Sequence, residues 1–525
     1  MSMIYRLFSL LLFVHVAQAQ VTQPARFEKE TKPSDHDFII ISLENEGIAL
    51  FRETEKYKEG KHSWQLIVLD TGLHQKVDTL ISIDKDYTFV GHEYVKGQLN
   101  LLFKEGEFAK NKITFCSVNL THFDYKLLEV KTELDLRLTH FCSIRSNLLL
   151  GGYIREEPAI LFFDATENKV RLVPGFLQGN TELLDLRVNE NYTFNVVLSE
   201  KTGSEAKQII FRTFDSQGKL LLEDLIKIEN PRVVQSAISS SLQREDLLLV
   251  GTWSIRNSNK AYGFYTSLVN PFEEQTFNFT PFGSLAHYLD FMKPRRAEKV
   301  KNKTKEALAS GRIYDFTNQV ILYKIMEQPE GYFVLAETYA PTSASGSNYY
   351  SNPNTSPNWN SLNYYNNPFY NSYPTSRIYR PLAYSENVAN ENEIKTYSST
   401  LLFINKKGII ESDYSLKIEN RKLPSIMQVT DATYYNKNLL LLYRERESII
   451  CKKIEPLSQV EEESKEPIKL KDAFDELRHE QENNYGIRHW YKDHFYTWGN
   501  QTIRNLQLTE GKTRDVFYLS KIHIQ

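Results

Sequence analysis

The side chains of this 525-residue chain that could do acid–base or electrostatic chemistry are histidines, carboxylates and arginines. The candidate residues lie on or beside the first predicted strand of each repeat described below: His92, Glu93, His140, Arg145, Arg187, Glu190, Arg244, Asp431, Arg488 and His489. An imidazole or carboxylate acts as a general acid or base when its pKa lies near the working pH and it reaches the substrate. Such chemistry would require several of these side chains to converge on one site.

No motif tied to a particular reaction accompanies them. The sequence has no Gly-rich phosphate loop, no Gly-x-Ser-x-Gly elbow, no His-Glu-x-x-His pair and no calcium loop of the Asp-x-Asp-x-Asp-Gly type. A scattered charged residue is more often a hydrogen-bonded structural group than a catalytic one. We therefore assign no catalytic residue, no cofactor and no metal ligand, and retain the set as candidates.

The segments that must position these side chains follow one recurring pattern, a turn residue followed by a short apolar strand. Its clearest copy is Asn-Leu-Leu-Leu-Gly-Gly-Tyr at 147–153. Eight copies begin at Gly47, Gln98, Asn147, Tyr192, Asp246, Gly331, Asn438 and His494. The first five copies lie 45 to 54 residues apart. A period of this length is typical of propeller blades and longer than that of most solenoids.

Each repeat contains four short runs rich in β-branched, aromatic and leucine residues, separated by Gly, Asn, Asp or charged turns. Such runs are strand signals. In one repeat the predicted strands are 87–95, 99–104, 112–118 and 125–131, and in the next they are 138–145, 148–153, 159–164 and 169–174. Four antiparallel strands per repeat would form one blade.

On period and strand pattern the chain resembles the β-propeller repeat proteins, without matching a named family. It lacks the Trp-Asp ending of WD40 blades and the Asp-box of sialidases. The resemblance implies an all-β fold of eight four-stranded blades, or of seven if residues 466–525 are irregular. In a propeller the first strands surround a central channel, so the candidate side chains are predicted near its mouth.

Closure of the ring is predicted from the two ends of the sequence. The last repeat shows only three strands, at 485–491, 495–502 and 514–524, whereas 26–32 has no partner in the first repeat. An unpaired sheet edge favours aggregation. The N-terminal segment is therefore predicted to form the outer strand of the final blade.

Insertions of different composition interrupt the repeats. Residues 284–313 are basic, with Lys and Arg at seven positions from 293 to 305, and their pattern is helical after Pro294. Residues 341–398 are rich in Asn, Tyr, Ser and Pro, which favours disorder or an adaptable binding loop. A helix is also predicted at 470–481, because Leu470, Phe474 and Leu477 share one helical face.

The first 19 residues have the features of a signal peptide: Arg6, an apolar run at 7–16, and Ala17 and Ala19 before Gln20. The run is too short to span a bilayer, and no later run is long enough. We expect one exported propeller domain, 20–525, in the periplasm, at the cell surface or outside the cell.

Cys116, Cys142 and Cys451 are expected to be buried free thiols, with a Cys116–Cys142 disulfide as the alternative.

Function is not fixed by these features. A net charge of -3 argues against a general nucleic-acid binder. The favoured hypothesis is a non-enzymatic propeller that binds a protein or glycan at the cell envelope through the channel mouth and the insertions. The alternative is a propeller-type polysaccharide hydrolase or lyase.

Overall fold

The structure is a computed structural model that describes most of the chain after the first 20 residues. The described residues are 21–105, 112–176, 181–202, 206–228, 231–241, 247–255, 260–270, 275–341, 394–419, 421–423, 427–456, 460–482, 484–507 and 512–525. They form two compact units. The smaller unit joins Val21–Glu30 to Thr430–Gln525, and the larger unit is Thr31–Val429.

The described residues fold almost entirely into β-strands. The first strand, β1 (Val21–Glu30), belongs to the smaller unit. The larger unit contains β2 (Ile39–Ser42), β3 (Ile48–Lys58), β4 (Lys61–Leu69), β5 (Gln75–Asp84), β6 (Tyr87–Val95), β7 (Gln98–Glu105), β8 (Lys112–Asn119), β9 (Tyr125–Lys131), β10 (Arg137–Ile144), β11 (Asn147–Ile154), β12 (Glu157–Asp164), β13 (Lys169–Leu172), β14 (Thr181–Val188), β15 (Phe194–Thr202), β16 (Ala206–Phe214), β17 (Leu220–Ile226), β18 (Val233–Val234), β19 (Ile238–Ser239), β20 (Leu247–Ser254), β21 (Gly263–Val269), β22 (Asn278–Pro281), the helix α1 (Pro294–Ala309), β23 (Gln319–Gln328), β24 (Gly331–Pro341), β25 (Ile394–Asn405), β26 (Ile410–Lys417) and β27 (Lys422–Leu423).

The smaller unit continues with the remaining strands: β28 (Thr430–Tyr435), β29 (Asn438–Glu445), β30 (Ser448–Glu455), β31 (Val460–Pro467), β32 (Asp475–Glu480), β33 (Gly486–Tyr491), β34 (His494–Asn505) and β35 (Thr513–Ile524). Short 3₁₀ turns form at Glu44–Glu46 and Phe282–Ser284. In the described part of the chain, no helix has the length and apolar character needed to cross a membrane.

Eight antiparallel sheets result, which we call blades 1 to 8. Six belong to the larger unit: β2–β5, β6–β9, β10–β13, β14–β17, β18–β22 and β23–β27. The smaller unit has two: β28–β31, and β32–β35 together with β1. In most blades the strands pair in chain order, as expected for hairpins joined by short turns. The fold is an all-β propeller of eight blades, as the repeat pattern predicted.

Packing on both faces of each sheet explains why the strands are apolar without alternation. In β11, Leu148 and Leu150 pack into the cluster that includes Leu102 of blade 2. Leu149 points the other way, into the cluster that includes Leu186 of blade 4. Successive side chains of a strand point to opposite faces of the sheet. A sheet buried on both faces therefore needs apolar residues at every position.

The final blade contains the predicted N-terminal strand and, in addition to the three predicted C-terminal strands, β32. β1 pairs antiparallel with β35 along most of its length, from Val21 opposite Ile524 to Glu30 opposite Val516. β35 in turn pairs with β34, so β1 is the outer strand of blade 8. Two segments far apart in the sequence thus complete one sheet.

The predicted helix at 470–481 is wrong. Asp475–Glu480 is the strand β32, paired with β34 with Leu477 opposite Ile503. Phe474, which the helical prediction placed on the buried face, is 47% exposed. Tertiary ion pairs decide the conformation here, since the two ends of β32 bind buried or partly buried arginines.

Those ion pairs hold the smaller unit together. Glu480 accepts two hydrogen bonds of 2.7 Å from Arg444 of β29, whose side chain is 1% exposed. Asp475 pairs with Arg514 of β35 at 2.6 Å, and Arg514 also reaches Glu28 of β1 at 3.3 Å. Blade 7, blade 8 and the outer strand are therefore linked through charges that have little contact with water.

Two other expectations are resolved in part. The helix α1 lies within the predicted basic insertion, and residues 394–398, assigned to the Asn/Tyr-rich insertion, belong to β25. Residues 342–393 lie outside the described part of the chain.

The three cysteines are buried free thiols, not a Cys116–Cys142 disulfide. Burial raises the pKa of the Cys116 and Cys451 thiols to about 12, so they are unreactive in the folded protein.

Deletion of residues 21–30 should leave the β35 edge unpaired and cause self-association, because exposed N–H and C=O groups template further pairing. Size-exclusion chromatography with light scattering measures this. A synthetic peptide of residues 20–32 added in trans should restore the monomer by strand addition. A truncated chain that stays monomeric with an unchanged melting temperature would show that β1 is dispensable.

The substitution Glu480→Gln should destabilise the protein by about 3–5 kcal/mol, since it leaves the Arg444 charge buried without a counter-ion. The double variant Arg444→Met, Glu480→Leu should recover most of this loss, and Glu167→Gln, in an exposed pair, should change stability by less than about 1 kcal/mol. Urea unfolding measures all three. Equal stability of Glu480→Gln and the wild type would contradict the assignment.

Candidate functional site

The first strand of each blade is an edge of its sheet, and in four blades it is bulged at the same place. The register shifts lie between Phe89 and Gly91, Leu138 and His140, Leu183 and Asp185, and Leu322 and Lys324. A bulge bends the strand and turns one side chain toward a new direction. The bulges therefore decide where the polar residues of these strands point.

The carboxylates of the bulged strands reach the backbone of a neighbouring blade. Glu93 of blade 2 accepts the N–H of Ser143 in blade 3. Asp185 of blade 4 accepts the N–H and the hydroxyl of Ser239 in blade 5, at 3.2 and 3.1 Å. Glu327 of blade 6 accepts the N–H and the hydroxyl of Ser241 in blade 5, both at 2.6 Å.

The same arrangement occurs at two more places. Glu337 of β24 accepts the Val429 N–H at 2.9 and 3.2 Å. Within the smaller unit, Asp431 of blade 7 accepts the His489 N–H of blade 8 at 2.8 Å. We call Glu93, Asp185, Glu327, Glu337 and Asp431 the bridging carboxylates. Each accepts a backbone N–H from another segment of the chain.

Arg187 lies near the carboxylates of Asp185 and Glu327. Its guanidinium donates to the Ser239 carbonyl oxygen at 2.5 Å. Burial lowers the pKa of Arg187, and the nearby carboxylates of Asp185 and Glu327 oppose that shift. Neither carboxylate is among the candidates from the sequence, because only the packing of blades 4, 5 and 6 brings them near Arg187.

His92 and Glu93, considered together in the sequence, point to opposite faces of β6. The His92 ring stacks on Phe89 at 6.2 Å, beside the cluster shared with blade 1, while Glu93 faces blade 3. Adjacent strand residues cannot share a face without a bulge between them. These two side chains therefore cannot act as an acid–base pair on one substrate atom.

The other candidates of the larger unit lie apart. The Nδ1 of His140 is 2.8 Å from the Thr139 hydroxyl. Arg145 is exposed at the β10–β11 turn, with its guanidinium 4.8 Å from the Tyr192 ring centroid, and Glu190 is exposed in the β14–β15 turn. Arg244 lies outside the described residues.

Three candidates belong to the smaller unit. Arg488 is buried, donates to the Ile487 carbonyl at 2.6 Å and lies over the Trp498 ring. His489 has its Nε2 2.9 Å from the Lys492 carbonyl oxygen and packs edge-on against Phe495. The structure joins Asp431 to the backbone N–H of His489.

Burial strongly shifts the pKa values of two of these candidates, Glu93 and His92. It raises the pKa of the Glu93 carboxyl to about 7, although the Ser143 donors act in the opposite direction. It lowers the pKa of His92 to about 3, and neither ring nitrogen has a hydrogen-bond partner among the described residues. At neutral pH His92 is therefore an uncharged packing group, whereas Glu93 titrates near neutrality.

A second candidate surface is the helix α1. Ala297, Val300 and Thr304 are buried, and the first two pack into the cluster containing Phe282 and Leu322. Gly283 fits under the helix because a Cβ there would lie 2.1 Å from the Thr304 hydroxyl oxygen. The opposite side of the helix presents its basic residues to solvent.

Most of these basic groups are exposed, and none forms an ion pair within the described residues. The exposed ones are Lys293, Arg295, Arg296, Lys299, Lys303 and Lys305. Lys301 donates to the Ala286 carbonyl, and Lys303 lies 5.7 Å from the Tyr314 ring centroid. We call this surface the basic face of α1.

One group of potential metal ligands was missed by the sequence analysis. Asp493, His494 and His523 bring their ligand atoms within 4.8 Å of one another. Asp493 and His494 are adjacent, but His523 joins them only through the register of β34 and β35. A pattern search for closely spaced ligands cannot detect a cross-strand pair.

No protein-family model matches this chain, and no curated protein matches its sequence. Solved structures with similar folds are propeller proteins of very low identity. They include a structure from a study of two prolyl endopeptidases (7% identity, TM-score 0.39, 90% of this chain and 54% of that chain), the polysaccharide lyase Uly1 (9%, 0.37, 93% and 99%) and the β-propeller domain of the Trilobed protease from Pyrococcus furiosus (8%, 0.34, 82% and 98%). The chain therefore spans only about half of the prolyl endopeptidase.

Glu93 should make stability depend on pH. Its folded-state pKa, about 7, exceeds the usual value of 4.5, so between these values the folded state binds more protons and stability falls as pH rises. The Glu93→Gln variant lacks this titration. Its melting temperature relative to the wild type should therefore rise from pH 4.5 to pH 7.

The exposed Glu190→Gln variant serves as the matched control, and its melting temperature should follow that of the wild type across the same range. A constant difference between Glu93→Gln and the wild type would show that Glu93 titrates normally.

Proposed function

We propose that this chain is an exported, non-enzymatic β-propeller that binds an acidic protein or an anionic glycan at the cell envelope. The docking surface is the basic face of α1. The observation that carries this proposal is a row of exposed cations without counter-ions on a helix that is anchored to the blades.

Anchoring matters because a binding surface gains affinity when it is ordered before the partner arrives. α1 buries Ala297 and Val300 in the blade 5 and blade 6 cluster, and Thr304 against Gly283. The segment between the 3₁₀ turn at Phe282–Ser284 and α1 is also held, since Asp413 of β26 accepts the N–H groups of Ala286 and His287 at 2.7 and 2.8 Å. The exposed cations therefore project from a rigid base.

The charge of this surface is local. The whole chain carries -3, whereas residues 293–306 contain seven basic side chains and only Glu298 and Glu306 as acids. Clustered like charges produce a potential that attracts a polyanion and raises its association rate. An acidic partner would supply the counter-ions that the described residues do not.

The proposal of a binding protein is supported by the use made of the buried carboxylates. Glycoside-hydrolysing enzymes need two carboxylic groups that face the same bond, roughly 5–10 Å apart. The bridging carboxylates accept backbone N–H groups, which holds them against protein. These hydrogen bonds support a structural role for the bridging carboxylates.

Export is proposed on the sequence alone. Residues 1–19 have the charged start, apolar run and small-residue end of a signal peptide, and they lie outside the described residues. The localisation that follows is the periplasm, the cell surface or the medium.

The fourfold substitution of Arg295, Arg296, Lys299 and Lys305 by Glu should abolish retention on an immobilised polyuronate or polyglutamate at about 0.15 M salt. The two matrices distinguish a glycan from a protein ligand. The effect should diminish in about 1 M salt, where charges are screened over about 3 Å.

The control reverses the same number of charges elsewhere, at the exposed Lys76, Lys85, Lys126 and Lys219. This variant should bind as the wild type does. Equal binding by both variants would exclude the basic face. Release of reducing or unsaturated ends from the polyuronate by the wild type would instead identify an enzyme.

A further inference from the structure

We propose that Asp493, His494 and His523 form a binding site for a first-row divalent transition metal ion, with Zn²⁺ the best match. In the described part of the chain, they are the one group of three histidine, cysteine or acidic side chains whose ligand atoms lie within 4.8 Å of one another. The site lies at one end of blade 8, in a part of the sequence far from α1. It does not depend on the proposed function.

The fold of blade 8 positions each ligand. β33 and β34 are joined by the two-residue turn Lys492–Asp493, which is closed by the pair Tyr491–His494. His494 and His523 are direct cross-strand partners in β34 and β35. Side chains of such partners lie on the same face with Cβ atoms about 5 Å apart. The hairpin therefore places two imidazoles side by side and a carboxylate next to them.

The distances suit a shared ion after small side-chain rotations. Asp493 Oδ1 lies 2.8 Å from His494 Nδ1, and Asp493 Oδ2 lies 3.6 Å from His523 Nε2. Two donors that are each about 2.1 Å from a tetrahedral ion are roughly 3.4 Å apart. The rings stack at 4.6 Å with an angle of 14°, so one ring must turn for both lone pairs to reach one ion.

The ligand types select the class of metal. Two imidazole nitrogens and one carboxylate oxygen are typical of zinc and related ions, whereas Ca²⁺ and Mg²⁺ prefer oxygen ligands alone. The three side chains are partly exposed, at 19 to 29%. An ion could therefore enter from solvent and keep water as a fourth ligand.

Lys521 limits the affinity of the site. It is two residues before His523 on the same face of β35, donates to the Tyr491 hydroxyl at 2.8 Å and lies 5.4 Å from the Tyr491 ring centroid. Its positive charge opposes a second cation nearby, so removing it should strengthen metal binding. Substitution of Lys521 is therefore expected to increase the affinity for the metal ion, whereas substitution of a ligand is expected to decrease it.

Binding would join the β33–β34 turn to β35 with coordinate bonds. The same end of β35 is held by β1, where the Thr22 hydroxyl donates to the His523 carbonyl at 3.2 Å. A metal ion that binds only the folded state stabilises it by a free energy that rises with the logarithm of its concentration relative to its Kd. The ion would thus reinforce blade 8 beside its outer strand.

The test uses the untagged mature protein, stripped with a chelator and titrated with Co²⁺ and Zn²⁺. We expect one equivalent of Co²⁺ to give the visible absorption of a four-coordinate site, and one equivalent of Zn²⁺ to displace it. His523→Gln and His494→Gln should each raise the Kd for Zn²⁺ by at least about tenfold. Lys521→Met should lower the Kd for Zn²⁺. Mg²⁺ and Ca²⁺ should not compete with Zn²⁺ for the site.

The control is His74→Gln, which removes an exposed histidine paired with a single carboxylate, Asp70, at 3.3 Å. Its Zn²⁺ affinity should equal that of the wild type. The proposal fails if the wild type gives no such Co²⁺ spectrum, or if His74→Gln weakens binding as much as His523→Gln. Should a ligand variant not fold, the wild-type spectrum and the Lys521→Met gain decide the question.

Discussion

The assembly of each unit depends on one repeated interaction, a carboxylate of one blade that accepts a backbone N–H of a neighbouring blade. The first strand of a blade has a single partner strand, so part of its backbone has no partner within the sheet. Glu93, Asp185 and Asp431 supply the missing acceptors from neighbouring sheets. Apolar packing brings the sheets together, and these directional bonds fix their relative position within each unit.

This use of carboxylates has a consequence for chemistry. A group that serves assembly is held by protein donors, and burial rather than a substrate explains the raised pKa of Glu93. The side chains with freedom to meet a ligand lie instead at the periphery, on α1 and in the turn beside His494.

The sequence predicted the fold well because the period of apolar strands depends on local composition and on burial of both sheet faces. It predicted the outer strand because an unpaired segment and an incomplete last blade are both visible in the pattern. It failed at β32, where Leu470, Phe474 and Leu477 fit a helical period but Asp475 and Glu480 bind arginines of other strands. It could not predict which neighbouring blade His92 and Glu93 each face, since the bulge between Phe89 and Gly91 sets the facing of the residues after it, nor that His494 meets His523.

The pairing of β1 with β35 also constrains the order in which the chain can fold during synthesis. Thr22 bonds to a residue 501 positions later, so β1 leaves the ribosome long before its partner exists. Until then it is an unpaired strand with apolar residues, which is open to pairing with other chains. Blade 8 can be completed only after the larger unit has been made. We therefore expect delayed formation of this sheet to be the slow, chaperone-sensitive step in the biogenesis of the protein.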